Sequence, residues 1–172
     1  MEAITRVCLI GPPSTGKSGL ARALARHFGV QWTPEFARDY AKVVGRELTA
    51  EDVGPIAAGQ AAIENRCSGS LRILDTDLLS TVVYARFYYG ACPRWIEDQA
   101  RQRRADLYLL MDIDLPFIED GVRDSGERRA ELFDRFRAAL EEFGAEYRVI
   151  SGNWEERKRQ ALAAIPVSYA AR

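Results

Sequence analysis

The sequence predicts an α/β fold, a parallel sheet held between layers of helices, and three observations predict it. Short apolar, β-branched runs alternate with longer segments of helical period, the pattern of successive strand–helix–strand units. The first run, Ile4–Ile10 (ITRVCLI), leads straight into GPPSTGKS, Gly11–Ser18, which fits G-x-x-x-x-G-K-[ST]. Two later runs end in carboxylates, ILDTD and LLMDID, and ligands of a parallel sheet collect beyond the carboxyl ends of its strands.

Taken in order, Ile4–Ile10 reads as a buried strand and Gly19–Phe28 as a helix, with Leu20, Leu24 and Phe28 on one stripe. Val30–Thr33 is a weak second strand stopped by Pro34, and Glu35–Val44 is helical. Thr49 caps a further helix with Glu51 and Asp52 in its first turn; it runs to about Cys67, with Gly54-Pro55 as a point of interruption. Leu71–Leu74 is a third strand ending at Asp75, and Leu78–Tyr89 an apolar helix stopped by Gly90. Pro93–Arg104 is helical and Asp106–Met111 a strong strand. Asp114–Arg129 is polar and glycine-bearing; Glu131–Phe143 is an amphipathic helix ended by Gly144. Tyr147–Ile150 is the last strand, and Asn153 opens a final helix with Glu156 placed for a capping box. The chain, 1–172, reads as a single domain with a helical insert at about 34–68 and a lid at about 114–130.

Gly11–Ser18 carries the chemistry most directly. Strand, glycine loop and helix in that order turn backbone N–H groups and a helix N-terminus toward one anion. Gly11, Pro12, Ser14, Thr15, Gly16 and Gly19 form or flank the cradle, Lys17 is placed for the β- and γ-phosphates, and the Ser18 hydroxyl for Mg²⁺. This P-loop implies a nucleoside triphosphate as donor. Asp75 and Asp77 are the foremost partners: one carboxylate for the magnesium's water shell, the other for the proton of an attacking hydroxyl. Asp77 also directly precedes the helix Leu78–Tyr89, so a helix cap is the competing reading. Asp112 and Asp114 read as strand-end turn residues before Pro116.

Positive charge that closes over a transferring phosphoryl group excludes water. DGVRDSGERR supplies Arg123, Arg128 and Arg129 between the hinge candidates Gly121 and Gly126, and reads either as that lid or as a solvated loop. Arg101, Arg103 and Arg104 read as a solvated helix face. Glu35 and Arg38 follow the second strand, where an acceptor would sit, among Trp32, Phe36, Tyr40, Tyr84, Phe87, Tyr88, Tyr89 and Trp95.

Composition narrows the class. A formal net charge of −1 draws the chain to neither nucleic acid nor an acidic membrane. The lysines are Lys17, Lys42 and Lys158, against an arginine-rich background. Cys8, Cys67 and Cys92 have neither disulfide-framework nor zinc spacing, and His27 stands alone, which sets aside a Ser-His-Asp hydrolase. With no signal-like or membrane-length apolar run, a cytoplasmic protein is expected.

Over nearly its whole length the chain resembles the ribosylnicotinamide kinase domain of the NadR-type NAD-salvage proteins. The resemblance rests on VCLIGPPSTGKS, PEFARDY, IAAGQA, ILDTDLLSTVVYARFYYG, DLYLLMDIDLPFIEDGVRDSGERR and VISGNWEERKRQ, in the family's order. It implies a P-loop nucleoside-kinase-like three-layer sandwich with strand order 2-3-1-4-5 and a mobile lid. It also implies ATP- and Mg²⁺-dependent phosphorylation of the 5′-hydroxyl of nicotinamide riboside. By resemblance, Lys17 and Ser18 serve ATP and magnesium, and Asp75 and Asp77 face the metal and the acceptor hydroxyl. Glu35 and Arg38 fall in the acceptor motif, Arg123 and Arg128 in the lid, and Ser151, Gly152 and Asn153 where such kinases bind adenine. Pro13 stands where members often have glutamate, and Pro34 where some have tryptophan, with Trp32 nearby. Full-length relatives also carry an adenylyltransferase domain; starting at the first kinase strand, this chain is expected to lack that activity. Two further readings stay open: a P-loop kinase of another nucleoside or vitamin alcohol, and a nucleotide-binding regulatory ATPase.

Overall fold

Five strands build one parallel sheet in the order β2-β3-β1-β4-β5. The structure, a computed structural model, describes residues 5–118 and 126–166. The strands are β1 (Arg6–Ile10), β2 (Trp32–Thr33), β3 (Arg72–Asp75), β4 (Leu107–Met111) and β5 (Tyr147–Ile150). In the central register Cys8 pairs with both Leu74 and Tyr108. The strand order implied by the resemblance is the one observed. The chain builds β2 and β3 to one side of β1, then β4 and β5 to the other, so the carboxyl end of β1 is the topological switch point.

Alternation along these strands divides the core. Cys8, Ile10, Leu74, Tyr108 and Leu110 face one way, Val7, Leu9, Ile73, Leu109 and Met111 the other. The second face is covered by α1 (Lys17–Phe28) and α7 (Trp154–Ala164) through Leu20, Leu24 and Ala161. The first packs on α3 (Val53–Arg66), α4 (Leu78–Tyr89), α5 (Arg94–Gln102) and α6 (Arg129–Glu142). Fully buried strands need no polar alternation, which is why DLYLLM carries so little.

Boundaries differ from the sequence reading where the backbone of a loop is recruited into a helix. Helix α1 starts at Lys17 rather than Gly19, because the last P-loop residues form its first turn. Val53–Arg66 runs unbroken through Gly54-Pro55, Pro55 lying in the first turn where its missing N–H has no intrahelical partner to lose. A 3-10 turn, Ala50–Asp52, leads into it, with Thr49 and Asp52 forming a reciprocal capping box. Helix α2 (Phe36–Val44) packs on α3 by seating the Phe36 ring against Gly59, where an added Cβ would lie 2.1 Å from the ring. The capping box at Asn153 and Glu156 forms as expected. Among the described residues no helix is long and apolar enough to cross a membrane.

Candidate active site

Gly11–Ser18 wraps the start of α1 beyond the carboxyl end of β1. Gly11 has φ 141°, and a Cβ there would lie 2.9 Å from the Met111 carbonyl oxygen. Only glycine lets the loop pass so close to β4. Thr15 Oγ1 donates to the Pro12 carbonyl at 2.9 Å and Lys17 Nζ to the same oxygen at 2.7 Å. Ser14, also at positive φ, is tied to the Ile118 main chain through its hydroxyl.

The Ser18 hydroxyl donates to Asp75 Oδ2 at 2.5 Å. Asp75 is 1% exposed, and its Oδ1 is buried with no hydrogen-bond partner among the described residues. A buried carboxylate oxygen left without a donor is costly unless something positive occupies its surroundings. The Ser18–Asp75 pair therefore fits a cation. The described residues hold no cluster of three or more His, Cys, Asp or Glu that could bind a metal by themselves. That suits Mg²⁺, which takes one or two carboxylates and completes its shell with phosphate and water.

Asp75 and Asp77 are not brought together. In a continuing strand, residues two apart would share a face. Instead Thr76 takes φ 73°, while its N–H still pairs with the Leu9 carbonyl. Past that reversal Asp77 turns to the opposite side of the sheet. Its Oδ1 accepts from the Leu79 N–H at 3.0 Å, capping α4, and its Oδ2 accepts from the Tyr108 hydroxyl at 2.6 Å. Burial, reinforced by the Glu64 charge, pushes the Asp77 carboxyl up to about 6 despite these two donors. The helix-cap geometry set beside the catalytic role in the sequence is present, and both Asp77 oxygens are engaged away from the Ser18–Asp75 pair.

On the β2–β3 side a cavity of about 900 Å³, part of it open to solvent, lies among α2, α3 and α4. Glu35, Gln60, Thr76, Ser80, Tyr84 and Tyr88 are among its walls, with Glu47 and Tyr89 also lining it. Among the described lining residues there are carboxylates but no lysine or arginine. Glu35 holds the N-cap position of α2, and Arg38, one turn on, approaches its Oε2 at 3.7 Å. Gln60 fixes this corner by accepting from the Phe36 N–H and donating to Glu64 and the Thr76 carbonyl. Tyr84 and Tyr88 lie nearly parallel, 6.0 Å between ring centres. Trp32 packs instead with the α1-side core, under Arg22. At the rim Asp52 accepts from Arg46, Thr49 and Tyr40, and the Arg46 guanidinium holds its carboxyl well below the usual range.

Just before α6, Arg128 lies 4.0 Å over the Phe87 ring and pairs with Glu131. Arg123 and Gly121 lie outside the described residues. The buried Arg129 donates to the Leu115 carbonyl at 3.0 Å and the Ser14 carbonyl at 3.2 Å, joining the start of α6 to the P-loop. Burial pulls its guanidinium below the usual arginine range. Arg157 is 0% exposed and reaches four neighbours: the carbonyls of Thr15, Asp112 and Gly152, and the Asp114 carboxylate. It braces the P-loop, the end of β4 and the Ser151–Asn153 turn as one unit. Sequence reasoning missed Arg157 and did not separate Arg129 from its neighbours, because in an arginine-rich chain neither residue stands out. The one available signal for Arg157 was its place a turn beyond the Asn153 cap.

An AAA-domain family model (AAA_28) matches residues 6–157. The trifunctional NAD biosynthesis/regulator protein NadR of Escherichia coli (strain K12) is 28% identical over 153 residues, covering 84% of this chain and 37% of that protein. A crystal structure of NadR in complex with NR superposes with a TM-score of 0.78 at 27% identity, over 97% of this chain and 52% of that one. The chain thus spans about half or less of these relatives. A thymidylate kinase from Ehrlichia chaffeensis, 13% identical, shares the fold with a TM-score of 0.67 over 95% of this chain and 98% of its own.

Proposed function

This chain belongs to the AAA_28 family of AAA domains, and from that premise we propose that it is an ATP-dependent kinase. Its acceptor is the 5′-hydroxyl of nicotinamide riboside and its product nicotinamide mononucleotide. One observation carries the reading: Asp75, with a bare buried oxygen, stands against the P-loop hydroxyl of Ser18, and the neighbouring Thr76 lines an anionic, tyrosine-walled cavity. A kinase needs that junction of donor cradle and acceptor pocket; a nucleotide sensor does not. The NR-bound NadR structure supports the choice of acceptor.

The cavity's chemistry supports it as well. The nicotinamide ring of the riboside is a flat cation. Carboxylates at Glu35 and Glu47, tyrosine rings and a described lining without lysine or arginine favour such a ring over a neutral base, Arg38 offsetting part of the Glu35 charge from outside the lining.

In the reaction the acceptor oxygen forms a bond to the γ-phosphorus as the bond from that phosphorus to the β–γ bridging oxygen breaks, and ADP leaves. We assign the hydroxyl's proton to Asp75 Oδ1, the oxygen without a partner among the described residues, with Oδ2 on the Ser18 side left to the ion's water shell. Lys17 and the α1 N-terminus bind the β- and γ-phosphates. Arg123 and Arg128 supply the late positive charge and exclude water, while Arg129 fixes the start of α6 to the P-loop. Ser18 would hold Mg²⁺, with Asp75 Oδ2 against its water shell, and the ion would offset charge building on the transferring group. With Asp77 spent on Leu79 and Tyr108, its part is to hold α4 and the Asp75 turn in place.

ADP release from Mg-ATP, measured with nicotinamide riboside, other nucleosides and thiamine in turn, tests this reading. Nicotinamide riboside should stimulate release and yield the mononucleotide by mass. Hydrolysis indifferent to every acceptor would overturn the kinase reading; stimulation by a different compound would overturn only the acceptor.

A further inference from the structure

Two arginines from different helices grip consecutive carbonyls of the phosphate loop. Arg129, the first residue of α6, donates from Nη2 to the Ser14 carbonyl at 3.2 Å. Arg157, in α7, donates from Nη1 to the Thr15 carbonyl at 3.2 Å. Both peptides are trans, so the C=O of each and the N–H that follows it point in opposite directions. With the Ser14 and Thr15 carbonyls drawn toward the guanidiniums, the Thr15 and Gly16 N–H groups face away from them. Positive φ at Ser14 (58°) and Gly16 (82°), on either side of Thr15, gives the alternation of handedness that makes successive N–H groups converge on one anion.

These contacts answer to a ligand as well as to packing. Thr15 is 0% exposed, yet among the described residues neither its N–H nor that of Gly16 meets an acceptor. A buried amide left bare is rare in a folded chain. Pro12 and Pro13 have no N–H, so between Gly11 and Ser14 the loop has none to offer an anion. The aim of the donors that follow matters all the more. Arg129 is 8% exposed; its partners are the Leu115 and Ser14 carbonyls, with no carboxylate among the described residues and its Nε bare. A buried cation needs a counter-charge, and an anion across the Ser14–Thr15 peptide supplies one. A carbonyl that accepts from a guanidinium also polarises its peptide, which makes the N–H on the other side a stronger donor.

We infer that Arg129 and Arg157 are positioning residues for the donor's phosphate chain: without touching it, Arg129 aims the Thr15 N–H and Arg157 the Gly16 N–H, each through the peptide that it grips. The inference rests on the P-loop binding a nucleoside triphosphate and is independent of the acceptor's identity.

The test follows backbone amide resonances of isotope-labelled protein during titration with Mg-ADP and with tripolyphosphate, with heats of binding measured in parallel and no acceptor present. In the native chain both anions should move the Thr15 and Gly16 amide protons downfield, the sign of hydrogen bonds to phosphate. Arg129→Gln should lose most of the Thr15 shift and keep that of Gly16; Arg157→Gln should do the reverse. Each should weaken both anions by about tenfold, the order expected for one charge-assisted hydrogen bond. Loss of charge alone, or a general loosening of the loop, would diminish the two amide shifts together in either variant, and that result overturns the inference. Anion affinities and amide shifts unchanged in both variants overturn it too. Should Arg157→Gln fail to fold, Arg129→Gln decides: a loss confined to Thr15 supports the pairing, and an equal loss at both amides refutes it. A native chain that binds neither ADP nor tripolyphosphate overturns the proposed donor site and this inference together, whereas native binding with indifferent variants overturns the inference alone.

Discussion

Replacing Asp75 by asparagine keeps the side chain's size and removes the charge to which Ser18 Oγ donates. Turnover should fall by about a hundredfold or more, since stabilising charge at the transferring group does most of the catalytic work in such sites. The same change at Asp77 should leave kcat and KM within about threefold, because asparagine caps a helix as well as aspartate. A comparable loss in the two variants, with folding intact, would return Asp77 to the catalytic machinery. The strand ending in DTD was plain in the sequence; the positive φ at Thr76 that sends the two carboxylates to different faces was not, since nothing in a threonine signals it. The cysteines make a second test at this scale. Burial raises the Cys8 thiol well above its ordinary value and pushes Cys92 up to about 11, the Glu97 charge adding to it. A thiolate is the reactive form. Alkylation of native protein at pH 8 should therefore spare Cys8 and label Cys92 slowly, the Cys92 rate rising about tenfold per pH unit up to about 11. Peptide mass analysis checks it; rapid labelling of Cys8 would contradict the closed core.

At the scale of elements, two segments were legible to the residue: the apolar run Leu78–Tyr89, stopped by Gly90, and the strand Tyr147–Ile150 fall where the sequence puts them. Strand β2 shrinks to Trp32–Thr33 because Pro34 ends it and only β3 pairs with it. What the pattern could not give is how helices lean on one another, and Gly59 shows why. It looks like a weak point in α3, yet it is the seat for the Phe36 ring at the start of α2, the helix that presents Glu35. Gly59→Ala should cost about 1–3 kcal/mol by overpacking, in spite of alanine's better helix propensity. It should also raise the acceptor's KM while leaving nucleotide affinity alone. Phe36→Leu in the same chain should recover part of the stability, a coupling that a double-mutant cycle in urea measures. If Gly59→Ala instead stabilised the protein, the packing of α2 on α3 would be other than described. Arg157 offers the matching experiment on the donor side. Arg157→Met leaves three carbonyls and Asp114 without their donor and should cost about 3 kcal/mol, with Arg157→Lys a poor rescue because lysine lacks the planar fork. Thermal melts separate the three chains.

Across the whole molecule, the switch in direction at β1 sorts the chemistry by chain segment. Residues before β4 build the tyrosine-walled cavity, those after it the start of α6 and the α7 side, and the P-loop joins the two. Arg129 and Arg157 hold that joint by gripping the Ser14 and Thr15 carbonyls from the C-terminal half. The formal net charge of −1 conceals an uneven field: the described walls of the cavity carry Glu35 and Glu47 and no arginine or lysine, Arg38 pairing with Glu35 from outside them, and Asp75 lies beyond Thr76. Total charge cannot express this, so the polarity of the pocket was illegible until the fold placed its walls. If the field selects the acceptor, the test is to keep the acceptor's shape and remove its charge. The reduced, dihydronicotinamide riboside keeps the ribose and the carboxamide but is neutral. It should show a KM about tenfold or more above that of the cationic riboside, with a similar kcat, the weight expected of a cation over aromatic faces beside carboxylates. Rising salt should narrow the gap by raising the KM of the cation alone, since the partly open pocket is only partly shielded from screening. Glu47→Gln, away from the phosphoryl group, should narrow it further without lowering kcat. Equal KM values for the two ribosides at low salt would show that shape, and not charge, chooses the acceptor.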